Sequence, residues 1–250
     1  MRFVVLALSW LLVALPVHAA EARKYAVLSL IGDVMLISEW VPSTGSRTDP
    51  NQKTFIPMSD GVFDKSALLS ANNALKRADP SIEPVLLFAR ERTLYEAQNR
   101  MLDADGKTVD LLDHVRTLVK GTNATHLFLL TKYRSQARLP MHDQTVGSGM
   151  LEGVGFYIDS SMKTILTDTN EPGVGLLAPF AYFRIELIDL ASGKVLAEKR
   201  IVAASTVSIA SSTASHAWNA LSGAEKVRVI RQLIDEETAK AIPALLKDAS

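Results

Sequence analysis

The chain has 250 residues, with 27 basic and 27 acidic side chains and no cysteine. The balanced charge indicates no general attraction to nucleic acid or to anionic membrane surfaces, so we expect no nucleic-acid partner. The lack of cysteine excludes disulfides, thiolate metal sites and thiol nucleophiles. A chain of this length buries roughly 70% of the surface of its unfolded state, so we expect a single domain that relies on its hydrophobic core.

Residues 1–20 have the pattern of a secretory signal peptide. Arg2 supplies a short positive region, an almost wholly apolar stretch follows it, and small residues allow cleavage after Ala19 or Ala20. The apolar stretch is too short for a good transmembrane helix, so we expect no integral membrane segment after cleavage. These features predict a periplasmic protein whose mature domain is 21–250.

Apolar periodicity predicts alternating strands and helices over the first half of the mature chain. Residues 25–40 indicate a strand that is buried on both faces and bends at Gly32 and Asp33. The segments that follow have either helical spacing or the length of a strand, and their order implies helices packed on a sheet. The predicted helices are 61–78, 91–102 and 109–120, and the predicted short strands are 53–58, 85–89 and 125–133.

Residues 181–203 carry the clearest pattern in the sequence, that of a β-hairpin. Phe183, Ile185 and Leu187 alternate with charged side chains, which places the apolar set on a buried face. Gly193 suits the tight turn, because it adopts a positive φ at little steric cost.

The charged residues of this hairpin allow two interpretations. Arg184, Glu186, Glu198 and Arg200 either form cross-strand charge pairs on a solvated face or provide a charged binding face. We favour the solvated face, because such pairs are common on exposed sheets.

A last helix is predicted near the C-terminus. Ser222 and Glu225 have the spacing of a capping box, and Pro243 is expected to end or kink the helix. The sequence as a whole therefore predicts one α/β (α+β) domain. Its mixed β-sheet includes a C-terminal antiparallel hairpin, and helices pack on it.

Residues 135–179 form a long glycine-rich segment without a helical pattern, which we interpret as an insertion in the domain. Segments of this kind are uncommon in compact domains and tend to be functional or mobile, so a partner-binding loop, a lid and a plain flexible surface all stay open. A short strand is expected at 156–158, with 164–166 as its partner. The predicted partner-binding residues are Gly149, Glu152, Gly153, Gly155, Phe156 and Tyr157.

Candidate catalytic residues are few. Residues 160–163 (SSMK) match the S-x-x-K nucleophile motif, but the K-T-G companion motif is absent and the setting is strand-like rather than helical. His142 could do acid–base work, although a solvated loop residue is the simpler interpretation. No two histidines have metal-ligand spacing, so we predict no metal site and no cofactor.

The hairpin run 187–196 (LIDLASGKVL) resembles a hairpin in a broad bacterial envelope group. This group includes the curli-secretion lipoproteins, the TolB N-terminal domain and the lipoprotein activators of penicillin-binding proteins. The chain departs from it by lacking a lipidated cysteine and by carrying the 135–179 insertion. It is also similar to proteobacterial secreted proteins of unassigned function, in the segments TGSR near 44 and GVGFYID near 153. The resemblance implies non-enzymatic envelope assembly or regulation, and it implies no catalytic residue.

We therefore expect a non-enzymatic periplasmic protein that binds another cell-envelope protein as an assembly or regulatory factor. Two alternatives stay open. One is a small-ligand binding module with the 135–179 segment as a lid, and the other is a periplasmic hydrolase that uses Ser160 or His142.

Overall fold

The computed structural model of the chain describes residues 23–42, 49, 51–89, 91–103, 109–142, 144–166, 169–207, 210 and 215–249. The predicted signal peptide and the TGSR segment lie outside the described residues. The strands are β1 (Tyr25–Ser29), β2 (Val34–Glu39), β3 (Gln52–Pro57), β4 (Val85–Phe88), β5 (His126–Lys132), β6 (Arg134–Gln136), β7 (Leu139–Met141), β8 (Gln144–Val146), β9 (Met150–Asp159), β10 (Leu176–Asp189) and β11 (Val195–Ala204). The helices are α1 (Val62–Ala78), α2 (Arg92–Asp103), α3 (Val109–Val119) and α4 (Gly223–Asp248), with a 3₁₀ turn at Ala217–Ala220.

The strand β10 organises the main sheet, because it is long enough to pair with three other strands. Strand β11 runs along one of its edges, antiparallel to it. Along the other edge, β9 pairs with the first half of β10 and β5 pairs with the second half, both antiparallel. The sheet order is β3-β2-β9-β10-β5-β1-β4, so the mixed sheet and the C-terminal hairpin predicted from sequence are confirmed.

The sheet divides into two wings beside β10. In one wing β5, β1 and β4 run parallel, and in the other β9 and β2 run parallel with β3 at the edge. Strands β1 and β2 belong to different wings and are joined only by residues 30–33, so the predicted bend at Gly32 and Asp33 is where the chain passes between the wings. Because β1 and β2 lie in different wings and do not pair, there is a gap in the strand pairing between them, and side chains fill it.

Three groups of elements cover the two faces of the sheet. Helices α1 and α4 pack on one face across both wings, with Phe63, Leu75, Ile230 and Ile234 among the buried side chains. Helices α2 and α3 cover the other face over β1 and β5. The rest of that face is covered by the small antiparallel hairpin of β7 and β8, with Leu139 buried against β9 and β10.

The hairpin of β10 and β11 agrees with the prediction on its apolar face and differs on its charged face. Phe183, Ile185 and Leu187 are fully buried, and Gly193 has a φ of 71°. Glu186, however, is only 2% exposed, so the solvated face predicted for it is wrong. Helices α2 and α3 cover part of this face, which the strand pattern alone does not reveal.

The glycine-rich segment 135–179 contains much more structure than the sequence suggests. Strands β7, β8 and β9, the end of β6 and the start of β10 all lie in it. The pairing predicted between 156–158 and 164–166 is wrong, because β9 pairs with β2 and β10 instead. Strand β9 therefore belongs to the centre of the sheet.

The helix α4 begins as predicted and ends later. Ser222 and Glu225 form a capping box, in which each side chain accepts a hydrogen bond from the backbone N–H of the other residue. Pro243 lies inside the helix, which continues to Asp248. No helix among the described residues is long and apolar enough to cross a membrane.

Candidate functional site

A buried carboxylate lies where β1 ends and α1 begins. Asp64 Oδ1 accepts hydrogen bonds from the Ser29 hydroxyl (2.6 Å) and from the backbone N–H groups of Ile31 (2.9 Å) and Gly32 (3.2 Å). The Tyr95 hydroxyl of α2 donates to Oδ2 at 2.7 Å. One side chain therefore ties together the end of β1, the first turn of α1 and the second helix.

The burial of this carboxylate changes its acidity. Desolvation raises the pKa of Asp64 to about 6, although the hydrogen bonds from Ser29, Tyr95 and Ile31 favour the charged form. Burial, and then the negative charge of Asp64, raise the pKa of the Tyr95 hydroxyl, so Tyr95 stays a hydrogen-bond donor at physiological pH.

A second polar cluster fills the gap between the two wings of the sheet. The Lys132 side chain is 4% exposed, and its Nζ lies 2.5 Å from Asp33 Oδ1 and 3.1 Å from Asn99 Oδ1. Lys132 is the last residue of β5, and its backbone N–H donates to the side chain of Gln98, at Oε1, over 2.8 Å. Side chains of α2 thus replace strand pairing where β1 passes to β2.

A cavity of about 920 Å³ opens beside these clusters, beyond the carboxyl ends of β1 and β4. In open α/β sheets with parallel strands, ligands bind in this position. One part of the wall is apolar, and another is polar or charged. The apolar part includes Val34, Pro57, Met58, Leu68 and Phe88, and the polar part includes Asp33, Asp60, Arg92, Tyr95, Glu96 and Asn99.

The charged groups of this cavity largely neutralise one another. Arg92 pairs with Glu96 at 3.0 Å, and Asp33 pairs with Lys132. Asp60 Oδ1 accepts from the backbone N–H of Val62 at 3.2 Å. Among the described residues, no group of three or more histidines and carboxylates is placed to hold a metal ion. The lining suits a ligand with an apolar body and a hydrogen-bonding head.

The residues predicted to bind a partner lie outside this cavity, in or just before β9. Gly153 and Gly155 are buried, Phe156 is fully buried and Tyr157 is 1% exposed, since β9 lies between β2 and β10. A partner therefore cannot reach Phe156 or Tyr157 in this conformation. The prediction that the segment contacts a partner stays a prediction. In the structure, these four residues belong to strand β9 of the sheet.

The other two members of the predicted set lie near the beginning of the same strand. Gly149 has a φ of 75°, and a Cβ atom there would lie 2.2 Å from Asp49 Oδ1. Glu152 forms a close ion pair with Arg134 of β6, which itself also contacts Asp103 at 3.0 Å. Both residues therefore have structural contacts within the described part of the chain.

The candidate nucleophile Ser160 lies near a histidine that sequence reasoning did not pair with it. Ser160 Oγ is 3.2 Å from His216 Nε2, on the surface of the protein. His216 Nδ1 accepts from the backbone N–H of Trp218 at 3.2 Å, so in the neutral ring the proton is on Nε2. Nε2 then donates to Ser160 and has no lone pair with which to take its proton. This arrangement lacks the general base that the hydrolase alternative needs at Ser160.

The remaining elements of the hydrolase hypothesis are not assembled either. Ser160 and Ser161 form a turn, and no helix begins there, so the S-x-x-K geometry is absent. His142 is exposed at the turn between β7 and β8 with a φ of 48°, and its neighbour Asp143 lies outside the described residues.

Sequence reasoning missed the cavity residues Asp64 and Tyr95. The available signal was the position of Asp64, one residue after Phe63 on a helix face that is otherwise apolar. A carboxylate so close to the inward face needs hydrogen-bond donors from elsewhere in the fold. These donors come from β1 and α2, which lie far away in the sequence.

Comparisons with known proteins give weak structural likenesses. No family model matches the chain, and no curated protein matches it. A protein from Xanthomonas campestris, described by the family model DUF330, is similar with 12% identity and a TM-score of 0.37, over 90% of this chain and 82% of that one. The PelC dodecamer from Paraburkholderia phytofirmans is similar with 13% identity and a TM-score of 0.26, over 87% of this chain and 85% of that one. The narrower resemblance of the hairpin to the curli-secretion and TolB group stays a prediction.

Proposed function

We propose that this is a periplasmic, non-enzymatic binding protein of the cell envelope, and that a small ligand occupies the cavity between α1 and α2. The observation that carries the proposal is the cavity of about 920 Å³ at the carboxyl ends of β1 and β4. Its size is typical of ligand sites. The signal-peptide pattern of residues 1–20 supports the periplasmic location.

The chemistry of the lining supports binding rather than catalysis. Burial raises the pKa of the Asp64 carboxylate in the wall, but its oxygens are already occupied by four donors. It therefore positions the walls of the cavity instead of meeting a substrate. The apolar wall at Leu68 and Phe88 would hold the body of the ligand, and Asn99 would meet its polar head.

Blocking the cavity tests the proposal. We expect Ala89→Trp to abolish binding, because the indole ring would occupy the mouth of the cavity next to Phe88. Leu69→Trp is the matched control, since Leu69 is 54% exposed on α1 and lies outside the cavity lining. The measurement is a thermal-shift screen of amphipathic metabolites, in which a ligand at 100 times its Kd raises the unfolding free energy by about 2.7 kcal/mol. A screen without a stabilising compound, or equal binding by both variants, would contradict the proposal.

A second candidate is the binding of another envelope protein at the edge strand β4, through an added strand. The observation that favours it is the apolar sequence of β4 (VLLF), with Val85 36% and Phe88 52% exposed. No strand among the described residues pairs with its outer edge. Exposed apolar edges of this kind are templates for strand addition.

Site-specific crosslinking in cells tests this second candidate. We expect a photoreactive side chain at Val85 to crosslink to one envelope protein, because it would lie beside the added strand. The same group at Leu69 is the control, since that residue is also exposed but lies on α1. Crosslinks of equal yield at both positions, or none at Val85, would remove β4 as the contact.

A further inference from the structure

A second, smaller cleft lies on the face of the sheet opposite to α1 and α4. It has a volume of about 300 Å³ and is lined by α2, by the end of β5 and the start of β6, and by β10 and β11. The residues that matter for its chemistry are Gln98, Thr131, Tyr133, Arg134, Arg184 and Arg200. It is separate from the cavity of the proposed function.

Strand register brings three of these residues into one row. Arg184 of β10 pairs directly with Thr131 of β5 on one side and with Arg200 of β11 on the other. Directly opposed residues of neighbouring strands project from the same face of a sheet. Two guanidinium groups and a hydroxyl therefore lie side by side across three strands.

Two buried polar groups in this cleft lack hydrogen-bond partners among the described residues. Gln98 and Thr131 are each 1% exposed, and neither Gln98 Nε2 nor Thr131 Oγ1 has a partner. The amide orientation of Gln98 is fixed, because the Lys132 backbone N–H can only donate and must meet Oε1. Nε2 is therefore a donor without an acceptor, which is costly in a buried position.

The arginines are held in place by carboxylates, which also limit the charge of the cleft. Because each guanidinium has at least one acidic neighbour, the carboxylates offset the positive charge and the cleft does not favour a polyanion. A guanidinium has five N–H donors, and the Arg200 side chain is 58% exposed, so its pair with Glu198 through Nε leaves other donors of Arg200 available. The pairs are Arg184–Glu186 (3.6 Å), Arg200–Glu198 (2.5 Å) and Arg134 with Glu152 and Asp103.

We propose that this cleft binds a singly charged oxyanion group, such as a carboxylate or a phosphodiester. Arg184 and Arg200 supply the positive charge, and guanidinium N–H groups match the paired oxygens of such a group. The Thr131 hydroxyl and Gln98 Nε2 lie at the floor of the cleft and donate to the same oxygens. The ligand thereby supplies the acceptors that these two buried groups lack.

Thr131→Val is the variant that separates binding from folding. Valine has nearly the shape of threonine and removes only the hydroxyl. Without anion, we expect the variant to be as stable as the natural protein or more stable, because a buried unsatisfied hydroxyl is lost. With anion, we expect its affinity to fall about tenfold, because one charge-assisted hydrogen bond is removed. Thr238→Val is the matched control, since Thr238 Oγ1 of α4 is also buried and has no hydrogen-bond partner in the described ranges of the chain.

The probes are sodium acetate and sodium dimethyl phosphate, with sodium chloride at equal ionic strength as the reference. We expect at least one probe to raise the melting temperature of the natural protein and of Thr238→Val beyond the effect of chloride. The probe with the lower Kd identifies a carboxylate or a phosphodiester as the source of the anion. Arg200→Gln should also weaken binding, because it removes one of the two positive charges that meet the anion. The substitution should leave the fold intact, since the Arg200 side chain is largely exposed. No effect of either probe, or equal binding by both threonine variants, would overturn the proposal.

Discussion

Asp64→Ala is expected to lower the free energy of unfolding by about 3 to 5 kcal/mol. Within the described part of the chain, this carboxylate is the only acceptor for the backbone N–H groups of Ile31 and Gly32 and for two hydroxyls, and the substitution removes it. Hydroxyls can rotate towards other partners, but the two amides are fixed by the chain. Each buried donor left without an acceptor costs about 1 to 3 kcal/mol.

Asp60→Ala provides a matched control for this change. Asp60 lies four residues earlier and makes the same kind of contact at an exposed position, where its carboxylate accepts from the Val62 N–H at 3.2 Å. We expect a loss of less than about 1 kcal/mol, since water replaces the missing acceptor. Urea unfolding of both variants measures the difference. Similar losses of unfolding free energy for Asp64→Ala and Asp60→Ala would mean that the hydrogen bonds of Asp64 do not stabilise the packing of β1, α1 and α2.

We also expect the free energy of unfolding to depend on pH through the Asp64 carboxylate. Asp64→Asn, which does not titrate at this position, is the reference. The pKa of Asp64 is about 6 in the folded protein, against an ordinary value of 3.8, so the folded state binds the proton more tightly. This contribution to stability is complete below pH 3.8 and is lost as the pH rises through 6. Relative to Asp64→Asn, the natural protein should therefore lose about 2 kcal/mol of stability between pH 4 and pH 7. A difference that is flat or rises with pH would show that the four donors outweigh burial.

The elements of this fold were predictable where their signal is local. The alternation of Phe183, Ile185 and Leu187 and the spacing of Ser222 and Glu225 depend on neighbours within a few residues, and both predictions are confirmed. The burial of Glu186 was not predictable in this way. It depends on α2 and α3, whose placement over that part of the sheet is a property of the topology.

The contacts of the candidate site were even less predictable, because they join residues that are far apart in the sequence. Asp64 meets Ser29 and Tyr95, which are 35 and 31 residues away in the sequence. Lys132 meets Asp33 because both lie at the gap between the wings, and no periodic pattern predicts that gap. Glycine in 135–179 was similarly misleading, since it suggested a loop where Gly153 and Gly155 are part of a central strand.

Gly155→Ala is expected to destabilise the protein by more than about 3 kcal/mol. A Cβ atom at this position would lie 1.8 Å from the carbonyl oxygen of Leu36 and 2.9 Å from its backbone nitrogen. These atoms belong to β2, which pairs with β9 at this point, so no side chain can move to relieve the clash. The strands must separate, and a central pair of the sheet is lost. Overpacking of this kind normally costs 1 to 3 kcal/mol when side chains yield, and a backbone clash costs more.

Gly223→Ala is the matched control, because a Cβ at Gly223 would meet no atom within 4 Å. Gly223 is the first residue of α4, where alanine is the better helix former, so we expect no loss of stability. Soluble yield and urea unfolding compare the two variants, and yield alone is informative if Gly155→Ala does not fold. A Gly155→Ala protein within 1 kcal/mol of the control would contradict this packing. Gly155 is also one of the predicted partner contacts. Loss of partner binding in Gly155→Ala would therefore indicate unfolding and not the loss of a contact. Tests of partner contact on β9 need positions whose side chains reach the surface.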